Sequence, residues 1–414
     1  MLSLYNSMSG RLERFRPRRA GRAIVYTCGP SIYQLPHIGN YRTFLYEDVL
    51  VRYLEYLGYR VERALFVTEV EDKSIAEAAR NNVPLRELTG LNLRKFRREL
   101  KALGARTPGR AVRSPEIVDE AARIIERLVR QGYAYRHQGN VYYDPEKFEG
   151  FGKLYGLDMR DWPRKKRRFH RDTYPGNVWN RGDFILWHGA RPGDVYWWKT
   201  SLGRGRPSWN VQDPAMALKS YGLQADIYCG GVDNLVRHHD YVIAVAEAYS
   251  GKRLANTWLH GEHLLVDGKK MSKSLGNIVY LSDLVDSACQ FTHLRFFLIY
   301  GHYRRRLNFT ERKFQKACER LRDFKQKVRV IQRRQAGPAP RKPDPEGRRL
   351  VERMRPDFES QMNDDLQVKK AFDDLFITVS RLGELAAARR LAPAEAGRAI
   401  GELKKIDTVL KAIF

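Results

Sequence analysis

The chain has 414 residues, 43% hydrophobic and 30% charged, which is long enough for two or three domains with real cores and too apolar for a disordered protein. Its 75 Lys and Arg against 48 Asp and Glu leave a formal charge of +27, which points to a polyanionic partner and says nothing about fold. No apolar stretch approaches the ~18 residues of a spanning helix, and four scattered cysteines exclude a disulfide scaffold, so a cytoplasmic protein is expected.

Residues 1–22 carry six arginines and one acid, Glu13, and read as a basic arm of the mature protein. Residues 23–27 form a short β-like run that leads through Cys28-Gly29-Pro30 into a polar loop. From Leu45 the apolar positions Val49, Leu50, Tyr53, Leu54 and Leu57 keep a helical period, with Gly58 as its stop. Residues 61–67 read as the next strand. Strand, helix, strand at this spacing predicts a βαβ unit and a parallel, Rossmann-like sheet.

Residues 114–131 predict a helix with Ser114 as N-cap and Pro115 in its first turn. Residues 133–143 read as a hairpin. Residues 145–210 are rich in Gly, Pro, Trp and Arg with little periodicity, as expected of an insertion. Strand character returns at 225–228 and 257–266. From about 280 the chain is helical, divided by a Pro-rich breaker at 335–343.

Two short motifs carry chemistry. His37-Ile38-Gly39-Asn40 lies between the first strand and first helix, and Lys270-Met271-Ser272-Lys273-Ser274 follows the turn Asp267-Gly268. A strand–helix junction offers free N–H groups and a helix dipole to phosphate. His37 can donate there, and Gly39 leaves room for a ring against the backbone. Lys270 and Lys273 can neutralise a leaving pyrophosphate. The bland alternatives are a satisfied loop histidine for His37 and a solvated turn for the lysines. The joint occurrence of the two motifs, in order, favours the catalytic reading.

These motifs resemble the HIGH and KMSKS signatures of class I aminoacyl-tRNA synthetases. The stretches 26–33, 68–73, 230–235, 238–240 and 265–277 are similar to the cysteinyl-tRNA synthetase family. The resemblance implies an α/β fold: a Rossmann-like parallel sheet with an insertion domain, followed by a C-terminal helical bundle. On that reading 1–22 is the arm, 23–110 and 216–280 are the two halves of the catalytic domain, and 111–215 is the insertion. Residues 281–334 are stem-contact helices, 335–347 a linker and 348–414 the bundle.

The resemblance implies activation of cysteine or a related small amino acid with ATP and Mg²⁺, and transfer to tRNA, by a cytoplasmic monomer. His37, Asn40, Lys270 and Lys273 would be catalytic. Gly39, Gly230, Gly231, Asp233, Met271 and Ser272, with the two lysines, would hold ATP. Cys28, Gly29, Thr68, Trp209, Asp213 and His238 would form the amino-acid pocket. Two alternatives stay open: a tRNA-independent ligase acting on a small amine, and a non-catalytic RNA-binding relative. The chain stops before the family's anticodon-reading tail, which leaves its tRNA unspecified.

Cysteine-specific members of this family hold zinc through two cysteines, a histidine and a glutamate. Cys28 and His238 match, but Asp213 stands for the second cysteine and Val242 for the glutamate. No metal ligand is therefore assigned, although a residual Cys28/Asp213/His238 site completed by water is an alternative, and Asp213 is expected instead to pair with a cationic or hydroxylated side chain. For RNA, the basic runs Arg164-Lys165-Lys166-Arg167-Arg168 and Arg304-Arg305-Arg306 are the candidates, the first flanked by Trp162, Phe169 and Tyr174.

Overall fold

The computed structural model describes residues 1–106, 108–157, 182–285 and 288–414. The chain opens with an antiparallel hairpin, β1 (Ser3–Asn6) and β2 (Arg11–Arg14). This corrects the expectation of a basic arm. The arginines dominate the count, but Leu2, Leu4 and Phe15 are buried in the main core and the Ser7 N–H donates to the Trp258 carbonyl at 2.9 Å.

Next come β3 (Arg22–Ser31), α1 (Ile38–Tyr56) and β4 (Arg60–Thr68). They form the predicted βαβ unit, with β3 and β4 parallel. Helix α1 starts seven residues before the periodic pattern. A reciprocal cap at its first turn, described below, fixes that start. It ends at Leu57, and Gly58 follows with φ +91°. The helix is buried almost all round, including Arg42, Glu47, Asp48 and Arg52, because the sheet covers one face and the C-terminal helices another.

The chain continues through α2 (Asp72–Arg80), α3 (Leu85–Ala102), β5 (Arg110–Arg113) and α4 (Val118–Arg130). Ser114 is not an N-cap. It lies inside a 3-10 turn over Ser114–Ile117, and its hydroxyl accepts from the Glu69 N–H at 2.9 Å and donates to Gln212 Oε1 at 2.5 Å. The hairpin is β6 (Ala134–His137) with β7 (Asn140–Tyr143). The stretch expected to lack periodicity supplies β8 (Phe184–Gly189), β9 (Trp198–Thr200) and β10 (Gly203–Pro207). These join the hairpin in an antiparallel sheet of order β6-β7-β8-β10-β9. Short strands broken by glycine leave no alternation to read.

The second half of the catalytic fold is α5 (Trp209–Ser220), β11 (Ala225–Gly231), α6 (Asp240–Ser250) and β12 (Ala255–Gly261). The central sheet runs β12-β11-β3-β4-β5, and every pairing in it is parallel. Strand order reverses between β3 and β11. Open parallel sheets bind ligands at such a reversal, beyond the carboxyl ends of the strands. A small sheet of β13 (Leu264–Val266) and β14 (Lys269–Lys270) turns at Asp267 and Gly268, both with positive φ.

Helix α7 (Ala288–Ile299) and β15 (Leu307–Phe309) then lead to α8 (Glu311–Arg334), α9 (Pro345–Asn363), α10 (Val368–Ala387) and α11 (Pro393–Leu410). The helical domain shares one continuous apolar core with the sheet face that carries α1. A buried ion cluster pins this junction. Asp48 on α1 accepts from Arg52 at 2.8 Å and from Arg295 on α7 at 2.7 Å, and Arg295 also donates to the Leu410 carbonyl at 2.7 Å.

Candidate active site

A cleft of about 310 Å³ opens where strand order reverses. Its walls include His37, Gly39, Asn40, Gly231, Asp233, Lys270 and Met271, with Cys28 and Gly29 also lining it. The two motifs, more than two hundred residues apart in sequence, therefore face one cavity.

His37 is the N-cap of α1. Its Nδ1 accepts from the Asn40 N–H at 3.3 Å, and the His37 N–H donates to Asn40 Oδ1 at 3.0 Å. Asn40 thus uses its carbonyl oxygen to hold the turn. Burial lowers the His37 pKa, so the ring is neutral near pH 7. With Nδ1 accepting, the proton sits on Nε2, which leaves a donor for an anion. A Cβ at Gly39 would lie 2.8 Å from Met271 Cε and 3.1 Å from His37 Cε1, so a side chain here would push the tip of the second motif's methionine off the first.

Lys270 Nζ lies 2.9 Å from Asp233 Oδ1, and His263 Nε2 lies 3.2 Å from the same oxygen. Burial works to raise the Asp233 pKa, but the hydrogen bonds and charges of His263 and Lys270 outweigh it and hold it at about 2. Ser272 caps the short turn Lys273–Leu275, and Lys273 is exposed. Gly230 admits no side chain, because a Cβ would lie 2.8 Å from His239 Cε1. At Gly29 a Cβ would run into the Phe66 carbonyl oxygen of the neighbouring strand.

Cys28 joins the cleft to a buried polar cluster. Asp213 on α5 accepts at Oδ2 from Tyr228 at 2.7 Å, from His238 Nε2 at 3.0 Å and from the Cys28 thiol at 3.3 Å. Burial pushes the Asp213 pKa up, but His238 and the hydrogen bonds prevail and keep it below the ordinary aspartate value. Burial and the Asp213 charge push the Cys28 pKa well up, so the thiol keeps its proton. Cys28 Sγ is also 3.0 Å from His239 Nε2. From there a chain runs through His260, 2.7 Å away, to Ser7, a further 2.8 Å on. The Trp209 ring sits 5.1 Å from the His238 ring, centroid to centroid. A wide π turn over Leu235–His239 presents both histidines to the cluster.

The zinc implied by the resemblance does not fit these residues. Cys28, His238 and His239 have donor atoms within 4.8 Å of one another. Yet both nitrogens of His239 are already paired, and three donors, one of them the Cys28 thiol, already converge on Oδ2 of Asp213. Val242, at the fourth family position, is fully buried among apolar side chains of α6.

Thr68 ends β4, half-buried, and its carbonyl accepts from the Ile32 N–H at 3.3 Å. The run at Arg164–Arg168 lies outside the described residues. Arg304 is not a free cation. It pairs with Asp365 at 2.7 Å and stacks on the Tyr5 ring. Arg306 pairs with Glu262 at 3.0 Å, while Arg305 is exposed. Sequence reading missed Tyr228, His239, His260 and His263. The only signal for His239 was its neighbour His238. Tyr228 and His260 sit in strands where they read as ordinary sheet residues.

Residues 14–319 match the family described as tRNA synthetases class I (C) catalytic domain. The chain is 37% identical to the cysteine–tRNA ligase of Chlamydia pneumoniae over 99% of its own length and 86% of that protein's. It is 34% identical to the Leptospira interrogans cysteine–tRNA ligase, over 93% of this chain and 81% of that one. In fold it is similar to Mycobacterium tuberculosis methionyl-tRNA synthetase solved with methionyl-adenylate, with TM-score 0.67, 14% identity and coverage of 95% and 90%. It is likewise similar to the Agrobacterium radiobacter LeuRS of a complex with tRNA and LeuAMS, with TM-score 0.68, 11% identity and coverage of 96% and 85%.

Proposed function

The chain belongs to the cysteinyl branch of the class I tRNA synthetases, and on that premise we propose that it activates cysteine or a related small amino acid in the cleft at the β3–β11 reversal. It is a ligase. Its partners are ATP, an amino acid and tRNA, and Mg²⁺ accompanies the ATP phosphates.

A carboxylate oxygen of the amino acid attacks the α-phosphorus of ATP. The bond to the β-phosphate oxygen breaks and pyrophosphate leaves. His37 Nε2–H donates to the phosphates at the N-terminus of α1, where the dipole already favours negative charge. Lys270 and Lys273 meet the charge that develops on pyrophosphate. Gly39 and Gly231 let the nucleoside lie against backbone, Gly230 makes room for the His239 ring behind it, and Asp233 takes the ribose hydroxyls once Lys270 turns to phosphate. The terminal ribose hydroxyl of tRNA then attacks the acyl carbonyl, and AMP leaves.

One observation carries this reading: His37–Asn40 and Lys270–Met271 face the same cleft, with Met271 Cε packed against Gly39. For the RNA backbone, the exposed cations of α8 (Arg312, Lys313, Lys316, Arg322, Arg329 and Arg333) are better placed than Arg304 or Arg306. ATP–pyrophosphate exchange over the full amino-acid set, followed by transfer of label to tRNA, tests the reading. Exchange with no amino acid would refute it. Label passing to a small amine but never to RNA would refute the tRNA step.

A further inference from the structure

We infer that the side-chain pocket selects its amino acid without a metal, through a hydrogen bond to His238 Nδ1, and so takes small side chains ending in a hydroxyl as well as in a thiol. The inference rests on the proposed activation reaction and names its substrate class.

The pocket's chemistry closes on itself. The Asp213 carboxylate is the negative charge of the cluster, and it is met by Tyr228, His238 and Cys28. Those three donors use up Oδ2, and the carboxylate as a whole is buried, so it turns no open face to a cation in the cleft. The chain Ser7–His260–His239–Cys28 uses both nitrogens of His239 in the same way. Val242 offers only methyl groups, and its neighbours on α6 are as buried as it is.

Asp213 is only 2% exposed, so it does not face a substrate directly, and a cationic side chain cannot reach it without displacing Tyr228 or Cys28. What remains for the substrate is His238. Its Nε2 is spent on Asp213, which leaves Nδ1 as the ring atom still open to a hydrogen bond, one that a hydroxyl or thiol can complete. That Nδ1 is buried and has no partner. A buried unpaired ring nitrogen is costly, and a ligand that hydrogen-bonds to it removes the cost. The side chain must be short, because the Trp209 ring lies tilted beside His238 and stacks on Tyr241, and Tyr228 and Tyr241 are fully buried there. A hydroxyl or a thiol on the β-carbon satisfies both conditions. A methyl group satisfies only the second.

A metal–sulfur bond separates a thiol from a hydroxyl by a contact the hydroxyl cannot equal. A hydrogen bond does not. Serine therefore gives a kcat/KM for pyrophosphate exchange within about 100-fold of cysteine's, and alanine falls below both by about 10- to 100-fold.

The test uses the full chain purified from zinc-supplemented cells. Its zinc content is measured by mass spectrometry, and exchange is followed with cysteine, serine and alanine. Absence of stoichiometric zinc, with serine and cysteine both active and alanine weak, is the expected result. One zinc per chain with exchange by cysteine alone overturns the inference and leaves the proposed function standing. Exchange with none of the twenty amino acids overturns the proposed function, and the inference with it. As a second readout, Asp213→Asn raises KM for cysteine and serine while KM for ATP stays put. An equal rise in both KM values would mark Asp213 as merely structural. The double change Asp213→Cys with Val242→Glu rebuilds the family's donor set and is expected to gain one zinc and lose serine.

Discussion

Lys270 Nζ and Asp233 Oδ1 are 2.9 Å apart, so the first lysine of the second motif is tied to the acid assigned to the ribose. Both side chains are about sixty per cent exposed. The pair holds the loop over the cleft and adds little to stability, on the order of 0–1 kcal/mol. Lys270→Ala is expected to slow pyrophosphate exchange by about 100- to 1,000-fold. The urea midpoint should stay where it was. A large drop in stability would mean the lysine serves the fold.

Two substitutions at His37 separate its roles. His37→Ala removes both the cap and the phosphate donor, costing about 1 kcal/mol of stability and about 100- to 1,000-fold in exchange. His37→Asn keeps a cap acceptor for the Asn40 N–H and should recover the stability. It should not recover the rate. Recovery of both would show that the histidine acts only as a cap.

Acid should weaken the fold earlier than carboxylates alone would. Burial lowers the pKa of His37 and His239, and holds His260 at about 3. In the unfolded chain these groups take up protons near pH 6.5. Below that pH the unfolded state binds more protons, so stability is full above it and is lost as the pH falls. The denaturant midpoint is expected to drop as the pH falls from about 6.5 to about 4, with Glu47 and Glu71, which burial raises to about 8 and about 7, offsetting part of the slope. His260→Asn should flatten that slope. An unchanged slope would show that His260 is protonated in the fold.

The ion cluster under α1 makes a different demand. Asp48 is fully buried and holds Arg52, Arg295 and the Arg106 N–H. Removing the carboxylate strands Arg295, which is 1% exposed. Asp48→Ala is expected to cost about 3–5 kcal/mol, read by urea unfolding. A loss under about 1 kcal/mol would show that water relieves the stranded arginine.

Binding of RNA along α8 should follow counterion release. Arg322→Ala with Arg329→Ala is expected to raise KM for tRNA and to lower the salt slope of binding by about one unit per lost phosphate contact. Pyrophosphate exchange without tRNA should not change. A slope equal to that of the unaltered protein would place the RNA elsewhere.

The βαβ unit, both motifs and the glycines were legible because each is a local pattern with a physical reason at that spacing. Cys28, His238, Asp213 and Val242 were legible only through resemblance. The partners of Asp213 were not legible at all. Tyr228 lies in a strand whose neighbours are apolar, and nothing in one dimension says that α5 delivers a carboxylate to its hydroxyl. The basic runs misled in the opposite direction. Arg304 and Arg306 look like free charge in a string of letters, and each has an acid waiting in the fold. The opening hairpin was hidden because two strands of four residues give too few positions to set a period.

That hairpin reaches further than its size implies. Ser7 sits at its tip, and the line from Ser7 through His260 and His239 ends on Cys28 at the wall of the cleft. Ser7→Ala would release the far end of that line and let the His239 ring turn, while Leu2 and Leu4 stay in the core. Such a variant should keep its ATP site and choose its amino acid less strictly. An affinity tag for the specificity measurements therefore belongs on the C-terminal side, away from Ser7.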